Sequence, residues 1–208
     1  MTTHPSTRST RRPPAPETLA LLETRRSVSA AGLGAPGPDA AATRRLLAIA
    51  ARVPDHAMLV PWRFILIEGA ARGDVGALLA QAYRDNNPAM APEKREKFAG
   101  IMARLFPAPL AVVVVSRPVG GTMIPDFEQE LSAGAVCMNL LTAAAAMGFD
   151  AIWVTGWAAT HPVARAILGV EAGERVAGIV HIGTAAEAPA DRPRPDVAAL
   201  TTPWAPPA

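Results

Sequence analysis

The amino-acid sequence predicts an α+β fold, in which helices sandwich a mixed sheet. Leu110–Ser116 is an uninterrupted apolar run, which is typical of a strand buried on both faces. Residues 62–67 alternate and include β-branched side chains, which indicates a second strand. Two predicted helices, residues 70–83 and 92–105, separate these strands along the chain. The chain therefore lacks the regular strand–helix alternation of a doubly wound fold.

Residues that typically begin or end helices, together with shorter apolar patterns, predict the remaining helices and strands. Asp39 is a suitable N-cap for a helix whose apolar residues, such as Leu46 and Ile49, recur at helical spacing. This helix must end before Pro54, because a residue that precedes proline is pushed out of the α region. Shorter patterns predict a helix from about Glu17 to the arginine pair, a helix at 161–168, and strands at 151–154 and 176–183.

The longest predicted helix begins at Pro125 and reaches Met147, and Gly148 follows as a natural C-terminal glycine. Its first turn is acidic, which suits the positive end of a helix dipole. Its second half is apolar nearly all round, as in a helix at the centre of an assembly. We therefore expect the following residues to lie at a dimer interface: Ala133, Val136, Cys137, Leu140, Leu141 and Ala144.

The 208 residues fit one domain, which we place at residues 17–208. Residues 1–16 are rich in Thr, Ser, Arg and Pro, so we expect a disordered N-terminal arm. Residues 189–208 are Pro-rich and are predicted to form an extended tail with Trp204 as its anchor. No internal repeat is found.

Composition excludes several classes of function. The net charge of +2 and the lack of a basic, aromatic-rich stripe argue against nucleic-acid binding. No apolar stretch is long enough for a membrane span, and prolines follow the N-terminal arginines where a signal peptide needs apolar residues. The single cysteine, Cys137, allows no internal disulfide and is expected to be a small buried residue. We expect a cytoplasmic protein.

Arg25, Arg26 and Ser27 form the first candidate site. Adjacent arginines are expected to point to different sides, so at least one should face a pocket or a partner. A guanidinium group suits a phosphate, and the serine hydroxyl can add a hydrogen bond. Taken alone, a double arginine is more often a solvated surface pair.

Two further groups of residues are candidates. Arg52 and His56 bring a cation and an imidazole to a helix-to-loop junction, although an isolated histidine is more often a surface residue. Trp153, Val154 and Thr155 end a predicted strand, which is a common position for ligand contacts. The alternative is that Trp153 packs in the core and Thr155 caps the next segment.

Other enzyme classes receive less support. The four histidines lack the paired spacing of a metal site, and a serine hydrolase would need a Gly-x-Ser-x-Gly elbow. A Rossmann-type reductase would need a Gly-rich turn directly after its first strand, whereas Gly32-Leu33-Gly34 precedes that strand.

In order along the chain, these motifs resemble those of the nitroreductase family, closest to its short bacterial branch. The resemblance covers residues from about 17 to 204. It rests on these segments: Arg25-Arg26-Ser27, Arg52-Val53-Pro54-Asp55-His56, Pro61-Trp62, Glu130-Leu131-Ser132-Ala133-Gly134, residues 143–148, Ile152-Trp153-Val154-Thr155-Gly156 and Ile182-Gly183-Thr184.

The resemblance implies a three-layer sandwich with a mixed or antiparallel sheet, and an intertwined homodimer that binds FMN at its interface. Arg25, Arg26 and Ser27 would contact the flavin phosphate and ribityl chain from one subunit. Arg52 and His56 would reach the flavin of the other subunit. Residues 153–155 would line the ring and the ribityl path, and residues 143–148 correspond to a stretch that the family associates with nicotinamide nucleotides.

The implied reaction is hydride transfer from NAD(P)H through flavin N5 to a small acceptor, by alternating half-reactions and with no obligatory catalytic side chain. The acceptor class stays open among nitroaromatics, quinones and similar compounds. The sequence departs from the family at two places: Ser29 stands where many relatives have a cation, and the terminal basic pair of relatives is matched only loosely, by Arg192 and Arg194 in a Pro-rich stretch. The alternative is a flavin-holding or partner-binding protein of the same fold with little turnover.

Overall fold

The structure is a computed structural model that describes residues 13–207. It contains seven α-helices and five strands within these residues. The helices are α1 Pro16–Thr24, α2 Ala40–Ala50, α3 Ala71–Asp85, α4 Pro92–Ala103, α5 Asp126–Ala146, α6 Trp157–Thr160 and α7 Pro162–Ile167. The strands are β1 Leu33–Gly34, β2 Trp62–Glu68, β3 Leu110–Ser116, β4 Asp150–Val154 and β5 Arg175–Ala185.

The five strands form one sheet in the order β1-β5-β3-β2, and β4 also pairs with β5. Every described ladder is antiparallel, so the sheet predicted as mixed or antiparallel is of the antiparallel kind. Strand β5 is the organising strand, because it pairs with β1, β3 and β4. All residues of β3 are buried, as its unbroken apolar sequence predicts.

Helices cover both faces of the sheet. On one face, α2 and α5 pack against alternate residues of β3 and β5, including Val112, Val114 and Val180. On the other face, α3, α4, α6 and α7 pack against the intervening residues, including Val113 and Ile179. The alternation follows from the period of two along a strand. The predicted α+β three-layer sandwich is therefore confirmed.

The residues predicted to begin α2 and to end α5 are confirmed in these roles. The Asp39 carboxylate accepts a hydrogen bond from the Ala42 backbone N–H at 2.7 Å and caps α2. Gly148 follows α5 with φ of +79°, the left-handed conformation that ends helices without a Cβ penalty.

Two elements differ from the sequence-based prediction. The helix predicted at 161–168 is α7, and the short helix α6 before it was not predicted; His161 separates the two because it precedes Pro162 and is extended with φ −75° and ψ 130°. Strand β1 was not predicted: Leu33 and Gly34, which precede the first predicted strand, pair with Ala185 and Thr184.

The expectation that the apolar second half of α5 lies at a dimer interface is also wrong. The six residues assigned to a dimer interface (133, 136, 137, 140, 141 and 144) are buried in the chain's own core. They are buried because this side of α5 packs against β3 and β5. Burial raises the pKa of Cys137, one of these six, to about 12, in agreement with its predicted role as a small core residue. The apolar side chains of α5 that stay exposed are Phe127, Leu131 and Met138.

The chain termini are only partly described. Residues 1–12, which form most of the predicted N-terminal arm, lie outside the described residues, and the domain boundary at residue 17 stays a prediction. Helix α1 begins at Pro16. In the tail, Trp204 is 85% exposed, so the prediction that it anchors the tail on its own chain is wrong. None of the described helices is long and apolar enough to cross a bilayer.

His181 is the most unusual core residue. It is completely buried on β5, with its ring centroid 5.7 Å from that of Phe106. Neither ring nitrogen has a hydrogen-bond partner among residues 13–207. Burial lowers the pKa of His181 from 6.5 to about 4, because the charged form would lose its hydration.

We expect the folded state to lose stability as the pH falls from about 6.5 to about 4. Within this window the unfolded chain binds a proton at His181, while the folded chain keeps the ring neutral. At pH 4 the loss reaches on the order of 3 kcal/mol of unfolding free energy.

Urea unfolding at pH 7 and at pH 4.5, at a fixed protein concentration, measures this loss. The His181→Leu variant should lack that part of the pH dependence. Equal pH dependence in the variant and the parent protein would contradict the assignment.

Candidate functional site

Four arginines converge on one cavity beside the end of α1. The cavity has a volume of about 130 Å³, and its charged lining comes from Arg25, Arg26, Arg192 and Arg194, with Ser27 beside them. A second cavity of about 340 Å³ shares Arg25 and Arg26 and has a largely apolar wall from α5 and β4. Both adjacent arginines thus line the same two cavities. The tail contributes to the lining of both cavities, with Ala188 and Pro189 in the larger one and Ala190, Arg192 and Arg194 in the smaller one.

Local structure fixes the arginine pair. Helix α1 ends where Arg25 becomes extended, with φ −53° and ψ 134°, although its N–H still bonds to the Leu21 carbonyl at 2.8 Å. The backbone N–H of Val28 then donates to the Ala151 carbonyl of β4 at 3.3 Å. Residues 25–28 are thus held between a helix end and the sheet.

The charge environments of the two arginines differ. Burial, then the nearby cations Arg194 and Arg192, lower the pKa of Arg25 below its usual value. Within the described part of the chain, no carboxylate forms an ion pair with Arg25. Arg26, in contrast, donates from Nε to the Asp191 carboxylate at 2.8 Å. Arg25, beside Arg192 and Arg194 and without a carboxylate partner in the described chain, fits an anion such as a phosphate.

Arg192 and Arg194 were only a loose match in the sequence, and the structure brings them into the cavity. They lie in the run Arg192-Pro193-Arg194-Pro195, where each proline limits φ and removes a backbone donor. The run therefore stays extended. The alternating Arg-Pro pattern is therefore the sequence signal that indicates these two further arginines of the cavity.

His56 lies on a different cavity, whereas Arg52, the other predicted member of this second group, is exposed and lines none of the cavities described here. That cavity has a volume of about 340 Å³ and is lined by Pro54, His56, Glu128, Leu131, Ser132 and Ala135. It shares no lining residue with the two arginine cavities. One protomer therefore carries two separate groups of predicted site residues.

The loop after His56 is strained. Ala57, Met58 and Val60 have φ of 60°, 54° and 48°, and a β-branched residue such as Val60 rarely adopts this conformation. Both oxygens of the Asp55 carboxylate accept backbone N–H bonds, from Leu59 and Val60, each at 3.0 Å. Strain held in this way is typical of functional loops. Asp55 is part of the sequence motif, but the sequence did not indicate that its carboxylate holds this loop.

Polar residues of α5 form hydrogen bonds to the segment from Ile49 to His56. Glu128 contacts the Nδ1 atom of His56 at 2.9 Å. Ser132 donates to the Pro54 carbonyl, and Asn139 donates to the Ile49 carbonyl at 2.6 Å. Glu128 thus occupies one ring nitrogen of the exposed His56, and the other is available to a ligand.

The third predicted group lies at the end of β4. Trp153 pairs with Val180, so its indole lies on the face of the sheet that α5 covers, and it is 37% exposed. A Cβ at Gly178 would lie 2.0 Å from the indole Nε1, so only glycine at this position admits the ring. Val154 is half-buried, and Thr155 is exposed before Gly156, which begins α6 with φ of +107°. The proposed capping of α6 by the Thr155 side chain is absent.

Residues 143–148 are divided between core and cavity. Ala143 and Ala144 are buried, whereas Ala145 and Gly148 line the larger arginine cavity together with Phe149. Among residues 13–207, no group of three potential metal-ligating side chains is found.

Sequence comparison identifies relatives over most of the chain. The profile described as "Nitroreductase family" matches residues 22–184. A protein of Escherichia coli K12 named "Putative NAD(P)H nitroreductase YdjA" is 35% identical over 169 residues, which is 81% of this chain and 88% of the relative. A similarly named protein of Haemophilus influenzae is 34% identical over 173 residues, 82% of this chain and 90% of the relative.

Solved structures share the fold. A nitroreductase-like family protein from Bacillus cereus has a TM-score of 0.74 at 23% identity, with 97% of both chains covered. A nitroreductase with bound FMN from Bacteroides fragilis has a TM-score of 0.67 at 20% identity, with 89% of this chain and 97% of that chain covered. Together with the profile match and the sequence relatives, these likenesses show that the chain belongs to the nitroreductase family.

Proposed function

We propose that this protein is an FMN-dependent oxidoreductase that transfers hydride from NAD(P)H to a small acceptor and works as a homodimer. The observation that carries this proposal is the arginine cavity, where Arg25 lies beside two further cations without a carboxylate partner of its own in the described chain. A terminal phosphate of a flavin mononucleotide supplies the missing negative charge. The names of the sequence relatives and the FMN bound by the Bacteroides fragilis neighbour agree with this assignment.

The described residues provide what such a cofactor needs. Arg25, Arg192 and Arg194 would bind the phosphate, and the exposed Ser27 hydroxyl would add a hydrogen bond. The half-exposed indole of Trp153 offers a flat apolar surface near the strand end, with Val154 and Thr155 beside it. Bound FMN would supply the hydride chemistry, accepting from NAD(P)H and then donating to the acceptor in alternating half-reactions.

A homodimer explains why one protomer carries two separate groups of site residues. Arg52 and His56 would act on the flavin that the other protomer holds. The exposed apolar side of α5 supports this arrangement, because Phe127 is 68% exposed and Leu131 is 57% exposed. Exposed apolar patches of this kind mark interaction surfaces. Leu131 also lines the same cavity as His56, so the contact surface and the second group of site residues are continuous.

Arg25→Ala should weaken FMN binding by about 1.5–3 kcal/mol, roughly 10- to 150-fold in Kd, because a hydrogen-bonded charge pair is lost. Quenching of flavin fluorescence on titration measures the change. Arg104→Ala is the matched control, since Arg104 is exposed at the end of α4 and lines none of the cavities described above. Equal Kd values for Arg25→Ala and the control would remove Arg25 from the site.

The activity itself is tested by adding NADH or NADPH to the FMN-loaded protein without oxygen. We expect the visible flavin absorbance to bleach, and to return when a nitroaromatic or a quinone is added. A flavin band that persists with both nucleotides would contradict the oxidoreductase proposal and favour a flavin-holding protein of the same fold.

A further inference from the structure

The C-terminal tail, residues 186–207, has a single polar attachment to the rest of the described chain. This attachment is the bond from Arg26 Nε to Asp191 Oδ1, at 2.8 Å. The other hydrogen bonds of the tail are local, such as Asp196 with the Ala198 N–H at 3.0 Å. From Ala190 onward the described tail is exposed, so burial adds little to its attachment.

The same carboxylate oxygen also organises the tail. Asp191 Oδ1 accepts from the Arg192 backbone N–H at 2.9 Å and from Arg194 Nη2 at 3.2 Å. These donors, together with Arg26, hold the pKa of Asp191 below its usual value, so the carboxylate is ionised at neutral pH. One oxygen atom therefore joins the body of the protein, the tail backbone and a guanidinium group of the tail.

The tail has few other means of positioning its arginines. Pro193 and Pro195 lack backbone donors, so this segment cannot continue a hydrogen-bonded strand or helix. Arg192 and Arg194 nevertheless lie in the cavity with Arg25. Their placement beside Arg25 thus depends on where the tail is tied down.

We propose that Arg26 and Asp191 form a latch that fastens the tail to the body and so brings Arg192 and Arg194 to the phosphate position beside Arg25. Arg26 is then a positioning residue that acts through Asp191, whereas Arg25 binds the anion directly. Only the identity of the anion rests on the proposed function. A competing view treats Asp191 as an anion that opposes the phosphate, and it predicts an effect of opposite sign.

The latch is tested first in the flavin-free protein, by NMR order parameters of the tail amides. We expect Asp191 and Arg192 to be ordered in the parent protein and to become flexible in Arg26→Ala and in Asp191→Asn. Asp196→Asn is the matched control, because Asp196 has the same charge in the same tail and bonds only to the tail. Unchanged order in both latch variants would overturn the proposal, and this readout holds even if the protein binds no flavin.

FMN titration provides the second readout. Arg26→Ala and Asp191→Asn should each raise the Kd by about two- to fivefold, the range for an exposed ion pair, and the double variant should raise it no further. The effects coincide because either change opens the same latch. Tighter binding by Asp191→Asn would show that Asp191 competes with the phosphate. A loss of tenfold or more in Arg26→Ala that adds to the loss in Asp191→Asn would show that Arg26 binds the phosphate directly.

Discussion

The proposed site depends on a concentration of positive charge that the described chain neutralises only in part. Arg25, Arg192 and Arg194 share one cavity, and Asp191 is occupied by Arg26 and Arg194. Like charges at such distances repel, and the repulsion grows as the groups leave water. Burial, and then the nearby cations Arg194 and Arg192, lower the pKa of Arg25. A bound phosphate would offset this repulsion, and we expect the protein to be more stable with an anion present.

Helix α5 links the fold to the second group of site residues. Its buried side completes the core against β3 and β5, while Glu128, Ser132 and Asn139 hold the segment from Ile49 to His56. Its remaining side exposes Phe127 and Leu131. One helix thus serves the core, the loop that carries His56 and the proposed contact with a second protomer. A change that moved α5 would alter all three together.

The sequence alone was sufficient for the elements with strong local signals. Asp39 caps α2, Gly148 ends α5, and the apolar run of β3 is fully buried, because each depends on neighbouring residues. The start of α7 at Pro162 also has a local cause, because the proline pushes His161 out of the helical region. The family resemblance placed the sheet between two helical layers, and the structure agrees.

Contacts between residues that are far apart in the sequence could not be predicted in the same way. Arg26 and Asp191 are 165 residues apart, and His56 and Glu128 are 72 residues apart, so only the folded chain brings them together. The six apolar residues of α5 were assigned to an interface because an all-apolar helix can be buried by its own chain or by a partner, and periodicity does not distinguish the two. The sequence does not distinguish Arg25 from Arg26, because the Asp191 carboxylate that pairs with Arg26 is 165 residues away.

The central claim is that two protomers complete each flavin site, and mixed dimers test it most directly. One protomer carries Arg25→Ala, and the other carries Arg52→Ala with His56→Ala. Each variant alone should bind FMN weakly. After random mixing, about a quarter of the parent number of FMN sites should return, since each mixed dimer contains one intact site. If the mixture binds no more FMN than the two variants do separately, the site lies within one protomer and the account is wrong.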